Sequence, residues 1–546
     1  MLSVKRLAAA LALLLLPSMT PSAAMPAAPT ESITHRYLVL YADGVSNDDA
    51  AAELEGLGAE IVAVNEAIGL ATARSSDPGF VADVARSDTI YGIARDRSIG
   101  TTELEEEDSL TPRSPGPAGA RRPQGRASEN ADPLFRYQWN MRMVRATPKG
   151  SYSLELGDRR VLVGVLDSGI DVRHADLRSR VDRDLSQSFV TGSSDGERCR
   201  TTPDHPGCAS SPFRDPIGHG TAVGSLIAGA RNGFGMSGVA PKATLVSLRV
   251  GGHYVFLQPV VDALTYAADN GLDVANMSFF IDPWLFNCPD NPADDEQQQQ
   301  EQRTIVEAVQ QAVDYARSRG VTPITATGNE ALDLGKPKVD NISPDYPPGA
   351  SYRRDVDNSC LMVPQETDGV IGVSGLGPST RKAFYSDYGI ERTDASAPGG
   401  DFHDRADHPV NQMLVAMSKL GLRKSGLIDK NGKPRSDIVL RRCRKDKCSY
   451  YLFGQGTSFA APMATGVAAL IVSARGTSDG AGGFGHDPAA VEADLLDTAT
   501  PHRCPKGGVQ RYRGLGKRYT AVCEEREGGN GFYGAGIVDA LRAVRR

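Results

Sequence analysis

The chain has 546 residues, enough to bury a large core and to hold more than one domain. Its composition is that of an ordinary globular protein, and a net charge of −7 is too modest for a general affinity for nucleic acid or anionic membrane.

At the N-terminus Lys5 and Arg6 precede the apolar run LAAALALLLL, then Pro17 and the small residues Ser22-Ala23-Ala24. This pattern predicts a secretory signal peptide over 1–24. A membrane anchor is the alternative, but the run is short for roughly 30 Å of hydrocarbon, and no later segment reads as membrane-spanning. The protein is therefore expected outside the cell, with no membrane attachment after signal removal.

Residues 35–98 read as a small separate domain. HRYLVLYADG is a strand, DDAAAELEGLGAEIVAV a helix running into a strand, and DPGFVADVARSDTIYGIARDR a second helix and a last strand. The order β-α-β-β-α-β implies a small α+β, ferredoxin-like unit. Residues 99–132 are rich in Pro, Gly, Glu and Arg and read as a solvated linker, with Arg121-Arg122 as an accessible cutting site.

From residue 133 strands and helices alternate. VLVGVLDSG is a buried strand ending at Asp167, GTAVGSLIAGA a helix, ATLVSLRV a strand, VVDALTYAADNG an amphipathic helix and LDVANMSF a strand. TIVEAVQQAVDYARSRG places Val306, Val309, Val313 and Ala316 on one helical face. VTPITATGN and VIGVSGL are further strands. This alternation predicts a mostly parallel sheet covered by helices on both faces. The polar stretch 282–303, with its glutamine run, and the basic stretch 401–450 read as insertions, either shaping access to a cleft or lying on the surface.

Eight cysteines follow the signal, an even number in an exported chain, which suggests disulfides. Short loops favour Cys199–Cys208, Cys443–Cys448 and Cys504–Cys523, leaving Cys288–Cys360. This is one of 105 pairings. Zinc is the alternative, though no spacing is a CxxC pair.

In open parallel sheets, sites form at the C-terminal ends of strands. Asp167 closes its strand and opens DSGID; a carboxylate there is suited to fixing the tautomer of an imidazole. His219, in GHGTAVGSLIAG, starts a helix between two glycines and is the side chain best suited to act as a base near neutral pH. Ser458, in GTSFAAP, sits where a helix begins, and helix N-termini offer free N–H groups and a positive dipole end. Taken singly, the three fit a turn aspartate, a surface histidine and an N-cap serine. Together they follow one of the known chain orders of the serine-protease triad.

These segments resemble the three signatures of the subtilases, the subtilisin-like serine proteases. TATGNE, GVAPKA and GAGIVDALRAV are similar to further family segments, and the resemblance spans residues 133–546. It implies a subtilisin-like three-layer α/β fold preceded by an inhibitor-type propeptide, which assists folding and blocks the cleft. It implies Ser458 as nucleophile, His219 as base, Asp167 as its orienter and Asn329 as oxyanion donor. NMSFF corresponds to the family's substrate-pairing strand, with Ser278 and Phe279 beside the specificity pocket. A second substrate strand is expected near Gly251-Gly252. Where many members carry glycines near Phe280 this chain has Phe279-Phe280-Ile281, bulky groups that narrow or close the pocket unless Phe279 and Phe280 instead fill core. Asp176 and Asn232 match positions of a calcium site in many subtilases, so a structural calcium is expected there, while the chemistry itself requires no cofactor. The expected partners are protein or peptide substrates and the chain's own propeptide; a monomer is expected. A narrow processing protease for one dedicated precursor, and a non-catalytic binding protein on the same fold, are the competing readings.

Overall fold

The computed structural model describes residues 34–97, 132–190, 211–390, 392–404, 407–478 and 484–546. The expected signal peptide, the linker before Asp132 and the pair Cys199–Cys208 lie outside the described residues.

The N-terminal unit runs β1 (His35–Tyr41), α1 (Asn47–Gly56), β2 (Glu60–Asn65), β3 (Leu70–Ser75), α2 (Phe80–Val84) and β4 (Ile90–Arg95). Its four strands pair antiparallel in the order β2-β3-β1-β4. The burial of β1 is continuous rather than alternating because both faces of this sheet are covered. Tyr37, Val39 and Tyr41 face α1 and α2 together with Leu54 and Phe80. Leu38 and Leu40 turn the other way and join the core of the large unit. This is the two-residue period of a strand read by two different partners.

The large unit is built on a seven-stranded parallel sheet. Its strands are β5 (Leu162–Asp167), β6 (Val181–Ser188), β7 (Thr244–Arg249), β8 (Val274–Met277), β9 (Thr322–Ala326), β10 (Ile371–Leu376) and β11 (Ala395–Pro398), in the spatial order β11-β10-β9-β8-β5-β7-β6. Helix α3 (His219–Ala228) packs on one face, where its apolar residues share a core with Val163 and Val165. On the other face lie α4 (Leu257–Asp269) and α5 (Glu296–Ser318), sharing a core with Leu166, Val246 and Leu248. The inner strands β5, β8 and β9 are buried at nearly every position because helices cover both faces, whereas the edge strand β6, VDRDLSQS, is polar and mostly uncovered.

Helix α5 starts at Glu296, earlier than its apolar periodicity suggests. Asp295 accepts from the Gln298 N–H while the Gln298 side chain accepts from the Asp295 N–H, a capping box that draws the polar glutamine run into the helix. The basic stretch 401–450 is likewise no surface loop. It holds β12 (Met413–Met417) and β13 (Val439–Arg444), which pair antiparallel on either side of β14 (Lys447–Gly454), and Met413 to Ala416 are fully buried. The final long helix, α6 (Thr457–Arg475), is by length and composition apolar enough to cross a membrane, contrary to the expectation for this part of the chain. It is instead a core helix, buried against α3 and the central strands. Disulfides join Cys288 to Cys360, Cys443 to Cys448 and Cys504 to Cys523.

The N-terminal sheet lies on α4 and α5. Arg97 pairs with Glu301, which also accepts from the Arg95 N–H at 3.2 Å and from the Trp284 indole at 3.2 Å. The Asn65 amide donates to Asp262 at 2.8 Å and to Thr265 at 2.9 Å. Gly92 sits directly on α5: a Cβ there would collide with the Thr304 hydroxyl and lie 2.8 Å from Gln300 Nε2.

Candidate active site

Asp167 is the last residue of β5, at the C-terminal end of the sheet, and is 4 % exposed. Both its carboxylate oxygens lie 2.9 Å from His219 Nδ1. His219 opens α3 directly after Gly218, whose φ of +91° is the left-handed conformation that glycine tolerates. Gly220 has a different reason: a Cβ there would collide with the Gly169 carbonyl and crowd the Asp167 side chain at 3.1 Å.

Burial opposes a charge on His219, but the facing Asp167 carboxylate, its hydrogen bond and the more distant Asp215 together outweigh it, so the imidazole pKa is raised above 6.5. Asp215, which sequence reasoning missed, organises the approach to the ring. It accepts from the Gly218 N–H at 2.7 Å, the Thr221 N–H at 2.9 Å and the Ser168 hydroxyl at 2.8 Å. Ser168 Oγ is also 3.1 Å from Asp167 and accepts from the Gly220 N–H. Burial pushes the Asp215 pKa up. The signal for Asp215 was its place four residues before His219, which carries no chemistry until the chain folds back on itself.

Ser458 is half-buried in the first turn of α6, after Gly456. The next residue, Phe459, stacks its ring on His219 with centroids 6.2 Å apart and planes 24° apart, so the helix start and the imidazole share one site. Asn329 follows β9 and is exposed. Its Oδ1 accepts from the Thr457 N–H at 2.9 Å and the Thr457 hydroxyl at 3.0 Å. With Oδ1 engaged, the Nδ2 branch is the one left for the cleft. A Cβ on Gly456 would lie 2.9 Å from Ser458 Oγ and 3.8 Å from Asn329 Oδ1, so the hydroxyl and the Asn329 side chain both lie close to this glycine. A hydroxyl, an imidazole held by a carboxylate, and a side-chain amide beside a helix N-terminus are the parts needed for acyl transfer.

Ser278 donates to the Ser458 carbonyl at 3.2 Å and accepts from Asn276 at 2.9 Å, which ties the end of β8 to the start of α6. Phe279 and Phe280 point to opposite sides. Phe279 packs beside the α4/α5 core, and Phe280 beside Leu285, Phe286 and the Cys288–Cys360 disulfide. Both are half-buried. Gly251 bridges to Val255 across a tight turn, and a Cβ on Gly251 would collide with the Tyr254 carbonyl. Gly251-Gly252 thus begins a curled segment rather than an extended strand.

Asp176 and Asn232 are brought together, but as a hydrogen-bonded pair. Asn232 Nδ2 donates to Asp176 Oδ1 at 2.9 Å, while the Tyr451 hydroxyl at 2.8 Å and the Met236 N–H at 3.0 Å donate to Oδ2. Asn232 Oδ1 is taken by the Phe234 N–H at 2.8 Å. A calcium ion wants six to eight oxygens; here N–H and O–H donors face both oxygens of a fully buried carboxylate. The donor set does not fit the cation. Among the described residues no group of three or more His, Cys, Asp or Glu is placed to hold a metal.

The sequence pattern of the subtilase family matches residues 158–535. The nisin leader peptide-processing serine protease of Lactococcus lactis subsp. lactis is 30% identical over 38% of this chain and 28% of its own length. The epidermin leader peptide-processing serine protease of Staphylococcus epidermidis is 25% identical over 62% of this chain and 65% of its own length. The chain therefore spans less than two thirds of either relative. The crystal structure of the Staphylococcus aureus epidermin leader peptide processing serine protease superposes with a TM-score of 0.57 at 20% identity, covering 94% of this chain and 98% of that one, which supports the fold.

Proposed function

The chain belongs to the subtilase family, and on that premise we propose that it is a secreted serine endopeptidase made as a proenzyme. Ser458 attacks the scissile carbonyl carbon, His219 takes its proton and passes it to the leaving amine, and Asp167 holds the ring and stabilises its charged form. Asn329 Nδ2 and the Ser458 N–H at the start of α6 receive the oxyanion. The observation that carries this reading is the two-oxygen grip of Asp167 on His219 Nδ1, at the end of β5 and under Phe459. Stoichiometric labelling of Ser458 by a fluorophosphonate, lost in Ser458→Ala, is the expected result. An unlabelled, folded protein contradicts it and favours the non-catalytic alternative.

The N-terminal unit acts as the propeptide, released by cleavage within residues 99–132. Its grip on α4 and α5 through Arg97, Asn65 and the Leu38/Leu40 face supports this role. Purified Ser458→Ala precursor is expected to remain uncut; normal processing of it with no other protease present refutes self-cleavage.

A second reading has its own support. Two relatives are named for processing leader peptides, and this chain carries Phe279-Phe280-Ile281 in the stretch where many family members have glycines. On this reading the enzyme cuts one dedicated precursor. A mixed peptide library separates the two: one or very few cut sequences favours the narrow enzyme, and many favour the general one.

A further inference from the structure

Asn329 is exposed and sits on a loop, a poor place from which to hold an oxyanion donor still. The loop does not hold itself. Gly328 has φ +109°, and Ala331, with a φ of +59°, is in the left-handed region that side chains rarely adopt. Such a backbone persists only when its surroundings over-determine it.

The surroundings are residues 382–388. Asp387 is fully buried, and its Oδ1 accepts from the Glu330 N–H at 2.9 Å and the Leu332 N–H at 2.7 Å, bracketing the strained Ala331. The backbone of the same segment completes the hold. The Asp387 N–H donates to the Gly328 carbonyl at 2.9 Å, the Ala331 N–H to Tyr385 at 2.7 Å and the Tyr388 N–H to Leu332 at 3.0 Å. Asp387 Oδ2 points at Gly328: a Cβ there would collide with it, and the oxygen has no hydrogen-bond partner among the described residues. Behind it, the fully buried Lys382 ammonium donates to the Ser386 carbonyl at 2.6 Å and the Ala383 carbonyl at 3.0 Å, fixing the turn that presents Asp387. On the cleft side, among the described residues, the Asn329 side chain is held through Oδ1 by Thr457.

We propose that Asp387 is the positioning residue for the oxyanion donor: its buried carboxyl clamps the backbone on the C-terminal side of Asn329, so that the amide Nδ2 stays aimed at the cleft beside Ser458. The proposal rests on the reading of Asn329 as that donor. Burial, with Glu330 close by, pushes the Asp387 pKa well up. Charged or neutral, the carboxyl accepts both backbone N–H groups through one oxygen. Misplacing a catalytic group by about 1 Å is worth on the order of 100-fold in rate.

The test is a double-mutant cycle on kcat with a peptide substrate, using the mature enzyme. Wild-type turnover and Ser458 labelling are measured first, so that failure of the protease reading shows itself before any variant is compared. Asp387→Ala is expected to lower kcat about 10- to 100-fold with KM within about 3-fold, and to cost less than about 2-fold further in an Asn329→Ala background. Asp387→Asn, which keeps the accepting oxygen, is expected within about 3-fold of wild type. If the alanine variant does not fold, Asp387→Leu, of similar volume, takes its place in the cycle. An equal loss in both backgrounds overturns the proposal, because a merely structural role does not depend on Asn329. So does an unchanged kcat in the folded Ala or Leu variant, and so does a 10-fold loss in Asp387→Asn.

Discussion

Replacing Tyr451 by Phe tests whether the buried Asp176 carboxylate is satisfied by protein donors. Tyr451 and Asp176 are each 0 % exposed, and the hydroxyl donates to Oδ2 at 2.8 Å. Burial and the neighbouring carboxylate push the phenol pKa far up, so the hydroxyl remains a donor at any working pH. Phenylalanine keeps the ring, including its edge-on contact with His174, and removes only the donor. Asp176 keeps the Met236 N–H and the Asn232 amide, so one of its three donors is lost. A hydrogen bond to a charged group is worth about 1.5–3 kcal/mol. For the unit of residues 132–546, unfolding entropy at roughly 2.1 cal/mol/K per residue is about 0.9 kcal/mol/K. The expected fall in Tm is therefore about 2–3 °C. The assay is thermal unfolding in a Ser458→Ala background, where self-digestion cannot distort the curve, with and without EDTA. Wild type is expected to be indifferent to the chelator. A chelator-induced drop larger than that caused by Tyr451→Phe, reversed by calcium, would sink the argument, because a cation would then hold Asp176.

Three other outcomes are expected. His219 works only when neutral, and its pKa lies above 6.5, so the acid limb of kcat/KM should fall at a pH above 6.5 rather than at the free-histidine value; full activity at pH 5 contradicts this. Buried Asp273 has its pKa pushed up to about 7. Its contribution to stability is present below the unfolded value near 3.9 and is lost as pH rises through 7. Asp273→Asn, which keeps an acceptor for the Leu162 N–H now 2.8 Å away, should gain in Tm relative to the parent Ser458→Ala protein between pH 4 and 8; a constant difference across that range refutes it. Gly92→Val overpacks the seat on Thr304 by about 1–3 kcal/mol. After cleavage, the N-terminal fragment of this variant should no longer co-elute with the large unit in gel filtration, and unchanged co-elution counts against the contact.

What the sequence determined was local and periodic. Alternation of strand and helix, both-face apolar strands, three short signatures and the segment TATGNE were enough to single out Asp167, His219, Ser458 and Asn329 as candidates, because a residue at a strand end or a helix start carries its context in its immediate neighbours. It also set the order of the N-terminal strands and helices. The tertiary structure decided the contacts made across long sequence distance. Asp215 and Asp387 have nothing reactive next to them in the chain, and Thr457, though next to Ser458, is tied to Asn329 only through folding; all three gain their meaning from the groups they meet in the tertiary structure. The stretch 401–450 read as an insertion because most of its charged residues stay at exposed positions, while Met413–Met417 are covered by a partner strand and by α3. Asp176 and Asn232 matched a metal site by position, yet Tyr451, 275 residues away in sequence, supplies a hydroxyl to that carboxylate. Burial and hydrogen-bond donors come from whatever the fold packs alongside, and no short window of sequence encodes that neighbour.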